Sequence, residues 1–153
     1  MGLFQTNLLI PNMKLSIRAL RALSVTRSIL GFESNSTSPR EKAISGLGAF
    51  LGILMVCWVS SFVVQGTDAI MVVASMGATA VLLFAVPHGT LSQPWALMGG
   101  HFVSALIGVT CARYIPHTYL AAALAVGLAV GVMYWANCIH PPGGATALTA
   151  VLG

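Results

Sequence analysis

Charge is scarce in this sequence. Its 153 residues include 7 Lys and Arg and 3 Asp and Glu, so 7% are charged, against about 25% in a soluble domain. So few ionic groups cannot cover a soluble surface of this size, and a hydrophobic share of 57% excludes intrinsic disorder. Acids are rarest: Glu33, Glu41 and Asp68 are all there are. The apolar stretches therefore offer no carboxylate for acid–base chemistry, and they contain no HExxH or GxSxG pattern, so the chain reads as a non-enzyme with no cofactor. Cys57, Cys111 and Cys138 are scattered and form no CxxC pair. They read as small buried hydrophobes, not as a disulfide framework. Cys138-Ile-His140 gives two metal ligands at most, too few for a site.

What remains is apolar sequence in long runs. The fold class is all-α, a polytopic transmembrane helix bundle. Uncharged segments run from Ala43 to Val64, Ala69 to Val86, Trp95 to Ala112 and Tyr119 to Asn137. At 1.5 Å per residue they suit a hydrocarbon core about 30 Å thick, giving four full spans. Gln65-Gly-Thr-Asp68 reads as a tight polar turn with Asp68 an ordinary turn residue, and Pro87 to Pro94 and Arg113 to Thr118 read as loops. His88 and His117, in those loops, read as solvated. The segment from Ala145 to Gly153 allows only about 13 Å of helix. It is expected to be either truncated or re-entrant.

Positive charge is confined to the start. Lys14, Arg18, Arg21, Arg27, Arg40 and Lys42 precede Ala43, and Arg113 alone follows. Residues 1–42 are predicted to be a basic cytoplasmic tail with a polar linker, and residues 43–153 the transmembrane domain, incomplete at its C-terminal end. The asymmetry places the N-terminus in the cytoplasm. Lys14, Arg18 and Arg21 oppose Leu15, Ala19, Leu23 and Leu30 on a helical wheel. This fits a helix lying on an anionic leaflet, or a transit presequence. The predicted location is a bacterial inner membrane, with a plastid membrane as the alternative. The lipid bilayer is the expected partner and nucleic acid is not, because the charge does not lie on a folded face.

Small residues recur at helical spacing: Gly46, Gly48 and Gly52, then Gly99, Gly100, Ser104 and Gly108, then Gly127 and Gly131. They predict close helix packing and leave room for a homo-oligomer. The string Gly77-Ala-Thr-Ala80 recurs as Gly144-Ala-Thr-Ala147. With the N-terminus inside, the two copies would run in opposite senses, as in an inverted repeat.

The segment from His140 to Ala147 reads as a helix start. Pro141 and Pro142 suit a first turn, Gly143 and Gly144 expose backbone amides, and Thr146 adds a hydroxyl. Such an end is a ready anion site. The predicted substrate-binding residues are His140, Pro141, Pro142, Gly143, Gly144 and Thr146, with Gly77 and Thr79 as their counterparts in the other copy. His101 and His140 are candidates for a proton relay, since intramembrane ionisable groups are functional candidates by default. Each also reads as a plain structural histidine, capping a span or bonded within the bundle. The functional expectation is a transporter or channel for a small inorganic anion. A non-transporting structural or sensory membrane module is the alternative.

The string His140-Pro-Pro-Gly-Gly-Ala-Thr-Ala-Leu148 resembles the signature of the HPP family of integral membrane proteins. Ser75 to Pro87 and Gln93 to His101 resemble that family's second and third spans, and the likeness covers Ser38 to Gly153. The resemblance implies a multi-helix membrane domain without known enzyme activity. Cyanobacterial and plastid members are linked to nitrite transport, which makes nitrite the expected anion. Some members carry CBS domains, and no CBS-like portion stands in this sequence. Members continue with further apolar sequence where this one stops.

Overall fold

In a computed structural model the chain divides into two units, Met1–Thr37 and Ser38–Gly153. The structure describes Val25, residues 37–63 and residues 67–153, and for 67–72 only the backbone. The amphipathic stretch predicted within residues 13–32 therefore lies outside the described residues, apart from Val25, which is helical and exposed. The second unit is built of five helices: α1 (Pro39–Ser60), α2 (Thr67–Ala85), α3 (Pro94–Tyr114), α4 (Thr118–Trp135) and α5 (Pro142–Leu152). A single 3₁₀ turn, Thr90–Ser92, lies between α2 and α3. No strand occurs among the described residues.

Each helix begins where its chemistry allows. Ser38 caps α1: its hydroxyl accepts from the Glu41 N–H at 3.2 Å, and the Glu41 carboxylate accepts from the Ser38 N–H at 2.8 Å. With Pro39 in the first turn, this reciprocal cap starts the helix one turn before the predicted Ala43. Pro94 and Pro142 likewise stand in the first turns of α3 and α5, there without a side-chain cap. Asp68 belongs to α2 and not to the expected turn. At the other end of α2, the Ser92 hydroxyl lies 2.9 Å from the Leu82 carbonyl and 2.8 Å from the Val86 carbonyl. It is a second partner for carbonyls that already accept from the Val86 and Gly89 N–H groups.

Among the described residues, three helices are long and apolar enough to cross a membrane: Pro39–Ser60, Pro94–Tyr114 and Thr118–Trp135. Pro142–Leu152 is a shorter apolar helix, and the described side chains of α2, Val73–Ala85, are apolar as well. At 11 residues and 1.5 Å each, α5 reaches about 16 Å.

The packing inverts that of a soluble domain. The buried core is Cys111, Ala121, Ala125, Ala129, Met133, Cys138 and Ala147. Large side chains point outward, among them Phe50, Met55, Trp58, Phe102, Leu106 and Leu128. In lipid, tails are as apolar as leucine, so helices gain most from close backbone approach and little from hiding leucine. The glycines show where this happens. A Cβ on Gly108 would meet the Ala147 carbonyl oxygen and the Ala150 Cβ, both at 2.7 Å, and one on Gly99 would meet the Cys138 Cβ at 2.9 Å. A Cβ on Gly48 would run into the Phe84 ring at 2.6 Å. Gly46, Gly127 and Gly131 meet nothing within 4 Å.

Gly108→Leu should therefore force α3 from α5 and lower the thermal midpoint in detergent, an overpacking cost of about 1–3 kcal/mol. Gly46→Leu should leave the midpoint unchanged or raise it. Equal midpoints for both variants would contradict this packing.

Candidate functional site

Four polar side chains from distant parts of the sequence meet between α2, α3 and α5. His140 lies in the connection before α5 and is fully buried. Its Nδ1 stands 2.8 Å from the Leu91 carbonyl oxygen and its Nε2 stands 3.1 Å from the Thr79 hydroxyl. The same Thr79 oxygen lies 3.0 Å from His101 Nε2. His101 Nδ1 then lies 2.8 Å from the Thr146 hydroxyl. The two imidazoles meet edge to face, with centroids 4.9 Å apart and planes at 65°.

The helices explain the convergence. Thr79 is buried on α2 and can also back-bond to the Ser75 carbonyl at 3.2 Å. Thr146, one turn into α5, has the Pro142 carbonyl at 3.3 Å as its own back-bonding partner. His101, on α3, is thus held at both ring nitrogens by threonines from the two copies of the Gly-Ala-Thr-Ala string. Gly100 makes room for the neighbouring histidine, since a Cβ there would lie 2.5 Å from the His140 Cβ. Trp95 donates from Nε1 to the Ala136 carbonyl at 3.1 Å. This bond and the His140–Leu91 contact gather the α2–α3 loop and the α4–α5 connection at one end of the unit. Asn137, in that connection, adopts φ of 53°, a left-handed conformation that Asn tolerates.

The α5 start differs from its expected chemistry in one respect. The prolines do initiate a helix, but the amides of Gly143 and Gly144 are not bare. Gly143 N–H donates to the His140 carbonyl at 2.8 Å, and Gly144 N–H donates to the Pro141 carbonyl at 3.0 Å. Tight i→i+3 turns satisfy donors that lipid would not. Gly143 also packs against α3: its Cβ would fall 2.7 Å from the Ser104 hydroxyl and 3.0 Å from the Gly100 carbonyl oxygen. Gly144 and Gly77 are open, with nothing within 4 Å of a Cβ. Pro141 is exposed and Pro142 buried. Of the predicted residues, the structure brings His101, His140, Thr79 and Thr146 together by hydrogen bonds. It gives Gly143 to packing and leaves open space beside Gly77.

His101 and Thr146 face a groove of about 500 Å³, lined also by Ser75, Met76, Phe102, Ala105, Thr149 and Ala150. His101 is half-buried, whereas His140 behind it is not exposed at all. The sequence reading missed Ser75, Phe102, Ala105 and Thr149 as groove residues, and it had Ser104 among the small packing residues, where the structure places it. The Ser104 hydroxyl is buried without a hydrogen-bond partner beside Gly143. Helical spacing carries part of the signal: Ser75 lies four residues before Thr79, and Ala105 lies four after His101. His88 and His117 are exposed, as expected of loop histidines.

Residues 34–153 match the family described as HPP, transmembrane region. Two transmembrane proteins of Dictyostelium discoideum are similar. One is 38% identical over 111 residues, covering 70% of this chain and 39% of the relative. The other is 41% identical over 112 residues, covering 71% and 36%. The chain thus spans well under half the length of these relatives. No solved structure matches.

Thr79→Val should leave two imidazole nitrogens without a partner and lower stability by about 1–3 kcal/mol, whereas Thr79→Ser should stay near the parent. Thermal unfolding in detergent measures the difference, and equal losses for Val and Ser would show that the methyl group, not the hydroxyl, matters.

Proposed function

Since the chain belongs to the HPP transmembrane family, an integral membrane family, we propose that it is a permease for a small inorganic anion, with nitrite the first candidate. One observation carries this reading. In a bundle whose surface is leucine, valine and phenylalanine, two histidines and two threonines form a continuous polar string that reaches a groove at His101 and Thr146. Ionisable groups are costly among membrane helices and mark ion or substrate pathways.

The recognition chemistry is that of a small acceptor-rich ion. Thr146 presents a hydroxyl that donates to His101 Nδ1 or turns away from it, and His101, once protonated at Nδ1, can donate to an oxyanion. Gly144, open beside them in sequence, leaves the α5 start unobstructed. The partial positive charge of that helix end favours an anion even with its first amides bonded. Phe102, Met76, Ala105 and Ala150 give the groove its apolar walls. They exclude water and disfavour strongly hydrated ions. The proposed orientation keeps the basic N-terminal residues in the cytoplasm.

Uptake of nitrite into proteoliposomes tests the reading. The native chain should exceed protein-free vesicles, and Ala105→Phe, which fills the groove, should return uptake to that background without lowering the melting temperature. Native uptake equal to the background would leave the non-transporting membrane module as the function.

A further inference from the structure

We propose that the anion crosses together with one proton, held jointly by His101 and His140 through the Thr79 hydroxyl, so that the protein is a proton–anion symporter. The proposal rests on the permease reading and adds the coupling ion to it.

Hydrogen-bond bookkeeping gives the first argument. The Leu91 carbonyl can only accept, so His140 Nδ1 carries a hydrogen. With His140 neutral, its Nε2 is bare and Thr79 must donate to it. The Thr79 oxygen is then free to accept, so His101 Nε2 carries a hydrogen. His101 Nδ1 is consequently bare and accepts from Thr146. Four bonds run in one sense, from Thr146 to Leu91, and no donor is used twice.

The string has a defined place for one more proton. A proton arriving from the groove binds His101 Nδ1, and the Thr146 hydroxyl turns to the Pro142 carbonyl 3.3 Å away. The His101 Nε2–H bond then breaks as a bond to the Thr79 oxygen forms. The Thr79 O–H bond breaks as a bond to His140 Nε2 forms. His101 ends neutral with its hydrogen on Nδ1, and His140 ends as an imidazolium. The polarity between the rings is reversed, and the only atom gained is the entering proton. A second proton would place two cations with ring centroids 4.9 Å apart, which mutual repulsion opposes in a low-dielectric interior.

The string is a store and not a through-path. His140 Nδ1 faces a carbonyl that cannot take a proton, and His140 has no exposed surface. The proton therefore leaves as it came, through His101 and the groove where the anion sits.

Charge balance gives the second argument. An anion in a low-dielectric groove needs a countercharge, and the histidine pair is the source at hand. Among the described residues, the helices around the pair hold no other ionisable side chain near it. On α2, Val73 to Ala85 contains none, and Asp68 lies about 16 Å back along the helix. On α3, Cys111 is buried in the core, while Arg113 and Tyr114 lie about 18 Å or more beyond His101. On α4, Tyr119 and Tyr134 are 91% and 66% exposed. On α5 there is none. In the connections, Cys138 is buried against Gly99, and His88 and His117 are exposed.

The full chain in proteoliposomes tests this with nitrite and an internal pH dye. An acidic exterior at zero membrane potential should drive nitrite and protons inward together, above the protein-free background. A potential positive inside, at equal pH, should drive neither. Uptake that follows the potential and ignores the pH gradient would overturn the symport and leave the permease. Uptake absent under both gradients would sink the permease and the symport with it. Coupled uptake should fall to background in Thr79→Val and persist in Thr79→Ser. Nitrogen-15 histidine resonances of the native chain give an independent readout. They should show one proton shared by two rings, and in Thr79→Val each ring should titrate alone. Two independent protons in the native chain would overturn the proposal whatever the uptake result.

Discussion

One hydroxyl oxygen, that of Thr79, sets the terms for the rest of this unit. It lies within hydrogen-bond distance of two imidazole nitrogens, 3.0 and 3.1 Å away, that belong to different segments of the chain. In water such a junction would be one arrangement among many, because solvent could replace any partner. In hydrocarbon it cannot be replaced, and an orphaned polar group costs several kcal/mol. The position of α2 against α3, and of the α5 connection against both, is therefore tied to where that oxygen stands.

Close approach is the condition for the junction, and the small residues supply it. Gly100 leaves the space that the His140 side chain enters, Gly99 leaves the space beside Cys138, and Gly143 lets α5 lie on the backbone of α3. A bundle with leucines at these positions would hold its helices too far apart for the imidazoles to reach Thr79. The glycines that look like generic packing residues are in this sense part of the polar site. Those with open space around them, Gly46, Gly127 and Gly131, have no such role within the unit.

How much of this the sequence reveals depends on the range of the interaction. Helix starts at Pro39, Pro94 and Pro142 are local events, and the proline marks each within a few residues, with a side-chain cap added at the first. The apolar runs and the small-residue spacing are likewise readable from one stretch at a time. Thr79, His101, His140 and Thr146 stand out individually as polar residues in apolar surroundings. Their pairing does not, because the bonds join positions 22, 45 and 61 apart. The α5 amides show the reverse error. Reading the prolines as a helix start is sound, but counting its donors as bare omits the tight turns back to His140 and Pro141.

The recurring Gly-Ala-Thr-Ala string gains physical meaning from His101. Its two threonines reach opposite nitrogens of the same ring, Thr79 at Nε2 and Thr146 at Nδ1. A ring held at one nitrogen can pivot, and one held at both is fixed in plane and direction. Each hydroxyl can donate or accept, so whichever nitrogen carries the hydrogen, the partners can turn to match. Their alternative acceptors are at hand in the Ser75 and Pro142 carbonyls. Two glutamines in those places would impose fixed donor and acceptor ends, and two valines would leave the ring unpaired. A hydroxyl on either side keeps the imidazole still while leaving its protonation state free to change.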